Sequence, residues 1–330
     1  MKKNLIIILV IATAISLTTS CSKRDESNSS GTNVSLRYKF NKGDKFKYKF
    51  TSEVSSDESV KTDTVMQVST KQTDTYIFDF EVVDVDTDNI AELNASISSL
   101  SVNIESGDQK ISFDPSKNPD QKEQQRFFQY VIQYNSPFKA RINSKGEVVE
   151  ISHLDKMVDK VVSMQPNQQQ ITAQQKTKIS QDIDQGIIHP LVQLVFRELP
   201  EKSLSKDSTW EKKYPGQLSV FSVENTAKFK VEDIIKLEND NAAKVSIELN
   251  MKWEGNKTGE QNGIKYNFND PKVSGNGSIV FNIDKGLLVK SETLTNVELV
   301  AKLEGKDNMQ NTVKTTRTDF TTNKNTVELL

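Results

Sequence analysis

Apolar and polar residues alternate with a period of two over two long stretches of the chain. In the first, from Leu36 to about Phe113, the aromatic residues Phe46, Tyr48 and Phe50 alternate with lysines. This period predicts antiparallel strands that bury one face and leave the other in water. The alternation changes phase at Ser98–Ser99, which indicates a β-bulge there.

The second alternating stretch begins at about Ser208 and contains three clear runs, over residues 243–253, 279–283 and 297–303. Asp284-Lys285-Gly286 separates two of these runs and predicts a tight turn. The polar, glycine-containing segment Asn256–Gly263 is typical of a loop.

Between the two stretches, apolar residues recur at helical spacing from Pro119 to Pro200. A short hairpin interrupts them, with strands over Phe138–Ile142 and Glu147–Ile151. An i, i+4 isoleucine stripe at residues 179, 183 and 187 leads into Pro190, where we expect a break or kink because proline lacks the N–H that a helix needs.

The two alternating stretches resemble each other in two places. VVDVDTDNIAEL, from Val82, aligns with IIKLENDNAAKV, from Ile234, and Lys42–Phe46 has a counterpart in Lys206–Trp210. The shared order predicts an α+β protein that is mainly antiparallel β. It would consist of two related curved β-sheet units, with a helical segment inserted between them and one hydrophobic core through both.

The N-terminus has the three parts of a secretory signal peptide. Lys2 and Lys3 form a basic region, Leu5–Leu17 is almost entirely apolar, and small and hydroxyl residues lead to Cys21. The apolar run is shorter than the roughly 20 residues of a transmembrane helix. We therefore expect an exported protein whose signal is removed.

Cys21 is the only cysteine of the chain, so no intramolecular disulfide can form. Its position at the end of the signal resembles a bacterial lipobox, although Thr18 stands where leucine is commonest. The resemblance implies cleavage before Cys21 and lipid on its sulfur; the alternative is ordinary cleavage that leaves a free thiol. Ser22, in place of aspartate, implies sorting to the outer membrane, and Lys23–Glu26 resembles signals for the cell surface.

The stretch after Cys21 is rich in serine, asparagine and charge, which predicts a flexible tether. The sequence therefore divides into a lipoprotein signal peptide (1–20), a tether (21–33), a first β unit (34–115), a helical middle segment with the hairpin (116–203) and a second β unit (204–330). We expect residues 34–330 to form one structural domain.

Four features occur in this order: the signal with its lipobox, LRYKFNKGDKFKYKF, the helical middle that ends in Pro200 and Asp207-Ser208-Thr209-Trp210, and GSIVFNIDKGLLVKSE. Together they resemble an uncharacterised family of bacterial envelope lipoproteins, defined only as a domain of unknown function. The resemblance implies an envelope location, but no activity and no catalytic residues.

The sequence offers little material for catalysis. It lacks a Gly-x-Ser-x-Gly elbow and a phosphate-binding glycine loop, and its two histidines, His153 and His189, are far apart without accompanying cysteines. We therefore expect no enzymatic activity, no cofactor and no catalytic residue.

One acidic motif is a candidate calcium loop. Asp84, Asp86 and Asp88 alternate and Glu92 follows, as at the start of a loop that supplies oxygen ligands to Ca²⁺. The sixth position is Asn89 rather than glycine, however, and the twelfth lacks the usual glutamate. Aspartates on the solvated face of a strand explain the same pattern, so we expect no metal.

The formal net charge is −2 and both signs are interspersed, which argues against nucleic acid as a partner. We expect a non-enzymatic envelope protein that binds a lipid, a glycan or a protein with a concave β surface. One alternative is a hydrolase of envelope glycans with two paired carboxylates, although the spacing of Asp120, Glu123, Asp155 and Asp182 brings no two of them together. Another is a subunit of an outer-membrane complex.

Overall fold

A computed structural model describes residues 33–165, 171–261, 263–306 and 310–330. The predicted signal peptide, Cys21 and residues 22–32 of the predicted tether lie outside these residues. The strands are β1 Lys45–Lys61, β2 Val65–Val85, β3 Ala91–Ser106, β4 Gln109–Phe113, β5 Phe138–Ile142, β6 Val148–Ser152, β7 Thr209–Leu218, β8 Phe221–Leu237, β9 Asp240–Glu254, β10 Thr258–Gln261, β11 Ile264–Phe268, β12 Lys272–Asn282, β13 Leu287–Lys306 and β14 Thr312–Leu329. The α-helices are α1 Gln121–Arg126, α2 Phe128–Gln133, α3 Asp155–Ser163, α4 Ala173–Ile183 and α5 His189–Val195.

The strands form one open antiparallel sheet in the order β6-β5-β3-β2-β1-β14-β13-β12-β9-β8-β7. β4 pairs with β3, and the β10–β11 hairpin pairs with β13. The C-terminal strand β14 lies between β1 and β13, so it joins the two strand groups into a single sheet. The prediction of a mainly antiparallel α+β fold with helices between two strand groups is confirmed.

The alternation of the sequence corresponds to the two faces of this sheet. Tyr76, Phe78 and Phe80 of β2 point toward the helices and are buried, whereas their neighbours remain partly exposed. The register between β2 and β3 shifts between Ile77 and Phe78, which leaves Ser98 as the extra residue. The predicted β-bulge at Ser98–Ser99 is thereby confirmed, because only a bulge can return the next apolar residues to the buried face.

Two of the helices, α1 and α4, begin at side-chain caps, and one irregular turn follows α4. Asp120 and Thr172 each accept hydrogen bonds from the first turn of α1 and α4, in capping boxes with Glu123 and Gln175. Residues 184–188 then form a π-helical turn between α4 and α5, so the irregularity lies just before Pro190 rather than at it. Proline clashes with the carbonyl four residues earlier, and the wider turn accommodates that clash.

Two local predictions are wrong. The segment Val34–Phe40 lies outside the named strands and makes one bridge, from Val34 to Leu204. Leu36 and Tyr38 are nevertheless buried, because the segment runs through the core, and an extended buried segment has the same alternation as a strand. The predicted loop Asn256–Gly263 contains strand β10, which forms because β11 supplies its hydrogen-bonding partner.

The sheet is strongly curved around the segment that follows α5. The ring of Phe196 lies 5.2 Å from that of Phe80 on β2, while Glu198 forms an ion pair with Lys212 on β7. β2 and β7 are seven positions apart, which is roughly 33 Å in a flat sheet. Three consecutive residues span only about 7 Å. The face that carries the helices is therefore concave, and we call it the inner face.

Candidate functional site

The inner face has an apolar core at one end of its strands and a mixed surface beyond it. Two adjacent rows of cross-strand neighbours form this surface, which we call the trough. The first row is Trp210, Phe229, Ile247, Gly277, Thr293, Asn325 and Ser52. The second row is Lys212, Ala227, Leu249, Gly275, Thr295, Asn323 and Val54.

The two sides of the trough differ in chemistry. The side formed by β7, β8 and β9 is apolar except for Lys212, which pairs with Glu198, and Trp210 stacks on Phe229 with ring centroids 4.9 Å apart. The side formed by β13, β14 and β1 carries mostly hydroxyl and amide groups, and its residues are half-buried. The chemical character of the surface changes at Gly275 and Gly277 of β12. The inner face of the sheet therefore carries an apolar part and a polar part side by side, which we call the apolar wall and the polar wall.

Arg197 lies at the boundary between the core and the trough. Its backbone N–H donates to the hydroxyl of Tyr38 at 3.0 Å, and its Nε donates to Oγ of Ser291 at 3.1 Å. Ser291 is fully buried and shares a face of β13 with Thr293, two residues further along. The side chain of Arg197 is half-buried, and its Nη2 is shielded from solvent without a hydrogen-bond partner in the described chain.

Burial dominates the electrostatics around Arg197. It lowers the pKa of the guanidinium and raises the pKa of the nearby hydroxyls of Tyr38 and Tyr214. The charge of Glu198 raises the pKa of Tyr214 further, but Glu198 itself pairs with Lys212. Within the described ranges, no carboxylate forms an ion pair with Arg197.

Two further polar atoms of the trough lack partners among the described residues. Oδ1 of Asn323 on the polar wall and Nε1 of Trp210 on the apolar wall are buried and make no hydrogen bond. Buried polar groups of this kind are uncommon in folded proteins. The trough and its boundary therefore contain an acceptor, an indole donor and a guanidinium nitrogen without partners among the described residues.

Asp74 marks the far end of the polar wall, opposite Ser52 in the register. It accepts hydrogen bonds of 3.0 Å from Gln72 and from the hydroxyl of Tyr130 on α2. Burial raises the pKa of Asp74, while these two hydrogen bonds counteract part of the rise. These hydrogen bonds connect Tyr130 of α2 to Gln72 and Asp74 of β2, beside the trough.

Three of the four residues of the candidate calcium loop have separate side-chain partners. Asp84 pairs with Lys42 and Glu92 with Lys139. Asp86 accepts the backbone N–H groups of Ile90 and Asp88, which together with Arg141 hold its pKa below its usual range. Across the part of the chain that the structure describes, no cluster of three or more His, Cys, Asp or Glu could hold a metal.

The acidic residues considered for catalysis lie on helices or cap them. Asp120 and Glu123 form the cap of α1, Asp155 lies in the first turn of α3, and Asp182 pairs with Lys178. His189 lies 3.7 Å from Asp184, and His153 lies beside Ser152.

One pair of carboxylates does meet across two strands. Glu58 of β1 and Asp319 of β14 are direct neighbours, and Arg317 binds both, at 3.4 and 2.9 Å. Its single positive charge lies between the two negative charges. Among the described residues, no helix is long and apolar enough to cross a membrane.

The sequence decides the family. Residues 88–288, more than half of the chain, match a family described as a family of unknown function, DUF6263. The chain belongs to the DUF6263 family. An uncharacterised family was the expectation from the sequence. A search of curated proteins finds no match for this DUF6263 chain.

Comparison with solved structures finds distant similarities. A structure described as "Lipid-protein interactions in lipovitellin" is 11% identical with a TM-score of 0.46, and the match covers 88% of the DUF6263 chain and 25% of the other. The COG4313 outer membrane channel from Pseudomonas putida F1 is 7% identical with a TM-score of 0.18, over 89% and 97% of the two chains. OccK7 (OpdD) of Pseudomonas aeruginosa is 6% identical with a TM-score of 0.20, over 86% and 99%. The chain thus spans about a quarter of the lipovitellin chain.

Proposed function

We propose that this DUF6263 protein is a non-enzymatic lipoprotein of the bacterial envelope that binds an amphiphilic ligand in its trough. The basic residues, the short apolar run and Cys21 at its end support export and lipid attachment. Ser22 supports sorting to the outer membrane, where the lipid would hold the protein at the bilayer.

The observation that carries the proposal is the division of the trough into two walls. A purely apolar ligand would leave the hydroxyl and amide groups of Thr293, Asn323 and Asn325 unpaired, which is unfavourable. A purely polar ligand would leave Trp210 and Ile247 without apolar contacts. An amphiphile satisfies both walls, because its tail can lie on β7–β9 while its polar part contacts β13 and β14.

Binding is favoured over hydrolysis by the state of the acidic groups. A glycosidase needs one carboxyl to donate a proton and another to act as base or nucleophile. Glu58 and Asp319 are neighbours across two strands, but both carboxylates are ion-paired with Arg317. Asp74 is engaged by Gln72 and Tyr130 within the wall.

Obstruction of the trough tests the proposal. In the Thr293→Trp variant the indole fills the space between the walls, and in Glu292→Trp the same side chain lies on the opposite face, one residue away. We expect the neutral dye N-phenyl-1-naphthylamine to bind the wild type saturably, with affinity roughly tenfold lower in Thr293→Trp, about 1.4 kcal/mol. Glu292→Trp should bind like the wild type.

Fluorescence titration measures these affinities, and thermal unfolding verifies that both variants are folded. Absence of saturable binding to the wild type, or equal binding by a folded Thr293→Trp variant, would contradict the proposal.

A further inference from the structure

We infer that Arg197 recognises an oxyanion, a carboxylate or a phosphate, at the polar end of the amphiphile. The inference rests on the proposed function and specifies the chemistry of its ligand. It comes from the position of Arg197, from its missing counterion and from the way in which its neighbours fix it.

Arg197 lacks a counterion among the described residues. Burial of a charged group is costly unless a partner of opposite charge compensates it. Charged groups inside proteins therefore ordinarily have a partner of opposite charge, and even the more exposed Arg317 and Arg141 bind Asp319 and Asp86 in this protein. Arg197 forms no ion pair within the described chain, and the nearest acid in sequence, Glu198, is taken by Lys212.

Two hydrogen bonds fix the orientation of Arg197. The backbone N–H of Arg197 donates to the hydroxyl of Tyr38 and its Nε donates to Ser291, so the backbone and the inner edge of the guanidinium are both fixed. The structure shows no hydrogen bond from Nη1 or Nη2 to a described residue. Two free Nη groups of a planar guanidinium match the two oxygens of a carboxylate or a phosphate.

The groups around Arg197 leave its positive charge without compensation. The charged and titratable groups around it are the hydroxyls of Tyr38 and Tyr214 and the ion pair of Glu198 with Lys212. These groups carry little net charge between them. Ser291 leads along β13 to Thr293 and Thr295 of the polar wall. An anionic head group at Arg197 therefore has hydroxyl donors beside it and the apolar wall on the other side.

The experiment uses the full mature chain and four probes below their micellar concentrations: dodecyl phosphate, laurate, inorganic phosphate and neutral dodecyl maltoside. Calorimetry measures their binding to the wild type, to Arg197→Met and to Arg197→Lys. We expect dodecyl phosphate or laurate to bind Arg197→Met roughly 10- to 100-fold more weakly than the wild type, because a charge-assisted hydrogen bond is lost. Dodecyl maltoside should bind both proteins equally.

Stability without ligand separates recognition from a structural role. If Arg197 recognises an anion, Arg197→Met removes an uncompensated, half-buried charge and should unfold at the same temperature as the wild type or higher. A clearly lower midpoint, together with equal losses for neutral and anionic probes, would overturn the inference and assign Arg197 to the fold.

The probes also separate the two proposals and the sources of the anion. Failure of every amphiphile to bind the wild type would contradict the proposed function, whereas binding of dodecyl maltoside with no preference for the anionic probes would contradict this inference alone. A preference for dodecyl phosphate over laurate, or the reverse, supports recognition and identifies the head group. Binding of inorganic phosphate without dodecyl phosphate supports the oxyanion site but overturns the amphiphile.

Discussion

At the scale of single residues, the half-buried carboxylate of Asp74 is the clearest source of pH dependence. Burial raises its pKa, so the folded protein binds a proton more tightly there than the unfolded chain does. The stabilisation from this proton is complete below the unfolded pKa of about 3.9. It is lost as the pH rises through the higher pKa of the folded state.

Asp74→Asn tests this sign. The variant removes the cost of a buried charge and can keep hydrogen bonds to Gln72 and Tyr130 after an amide flip. We expect the free energy of unfolding of Asp74→Asn, relative to wild type, to be higher at pH 7 than at pH 3. Urea unfolding at a series of pH values measures it.

Asp86→Asn is the matched control, with the opposite sign. Its backbone hydrogen bonds lower the pKa of Asp86, so this carboxylate stabilises the fold above the unfolded pKa and ceases to do so as the pH falls. The effect should be small because the group is exposed. A pH trend of the same sign in both variants would show that the explanation from burial is wrong.

At the scale of elements, the packing of β12 against its neighbouring strands depends on its glycines. A Cβ at Gly277 would lie 2.5 Å from the carbonyl oxygen of Glu292 and 2.9 Å from Cγ2 of Thr293. The neighbouring strand can approach this closely only because no side chain stands between them. Gly275 has a similar closeness to Leu249, at 2.9 Å.

Gly277→Ala should therefore destabilise the protein by about 1–3 kcal/mol, the usual cost of overpacking. Gly186→Ala in the π turn is the control, because a Cβ there meets no atom within 4 Å. Denaturant unfolding compares the two variants. Equal stability of Gly277→Ala and the control would mean that the two strands can separate without cost.

The sequence predicted elements where local pattern and burial agree. The strands, the hairpin at Phe138–Ile142 and the bulge at Ser98 follow from periodicity, since each depends on residues close in the chain. The segment Val34–Phe40 and strand β10 were missed because their state depends on distant partners. Periodicity contains no information about those partners.

At the scale of the whole molecule, the trough could not be predicted from sequence. Its rows combine residues from β7 to β1, and their neighbourhood exists only once the register of seven strands is known. Arg197 gave no signal either, because a single arginine after an apolar helix resembles any surface residue. Concavity itself was expected from the long strands, and the contacts of Phe196 and Glu198 demonstrate it.

Attachment to the membrane is also a property of the whole chain. We expect cells fed a clickable palmitate analogue to label the wild-type protein but not Cys21→Ala, and the labelled protein to sediment with outer-membrane vesicles in a density gradient. Labelling of Cys21→Ala, or recovery of the wild type in the soluble fraction, would contradict lipid attachment at this residue.

The course of Val34–Phe40 through the core has a mechanical consequence. Tyr38 binds the backbone of Arg197 and packs against Phe281 of β12, with ring centroids 5.2 Å apart. Tension along the N-terminal chain would therefore be transmitted to the residue that we assign to the head group. A force exerted from the bilayer and the binding of a ligand would act on the same residues, Tyr38 and Arg197. Tension on the tether would therefore change the affinity for the ligand, and bound ligand would change the resistance to tension.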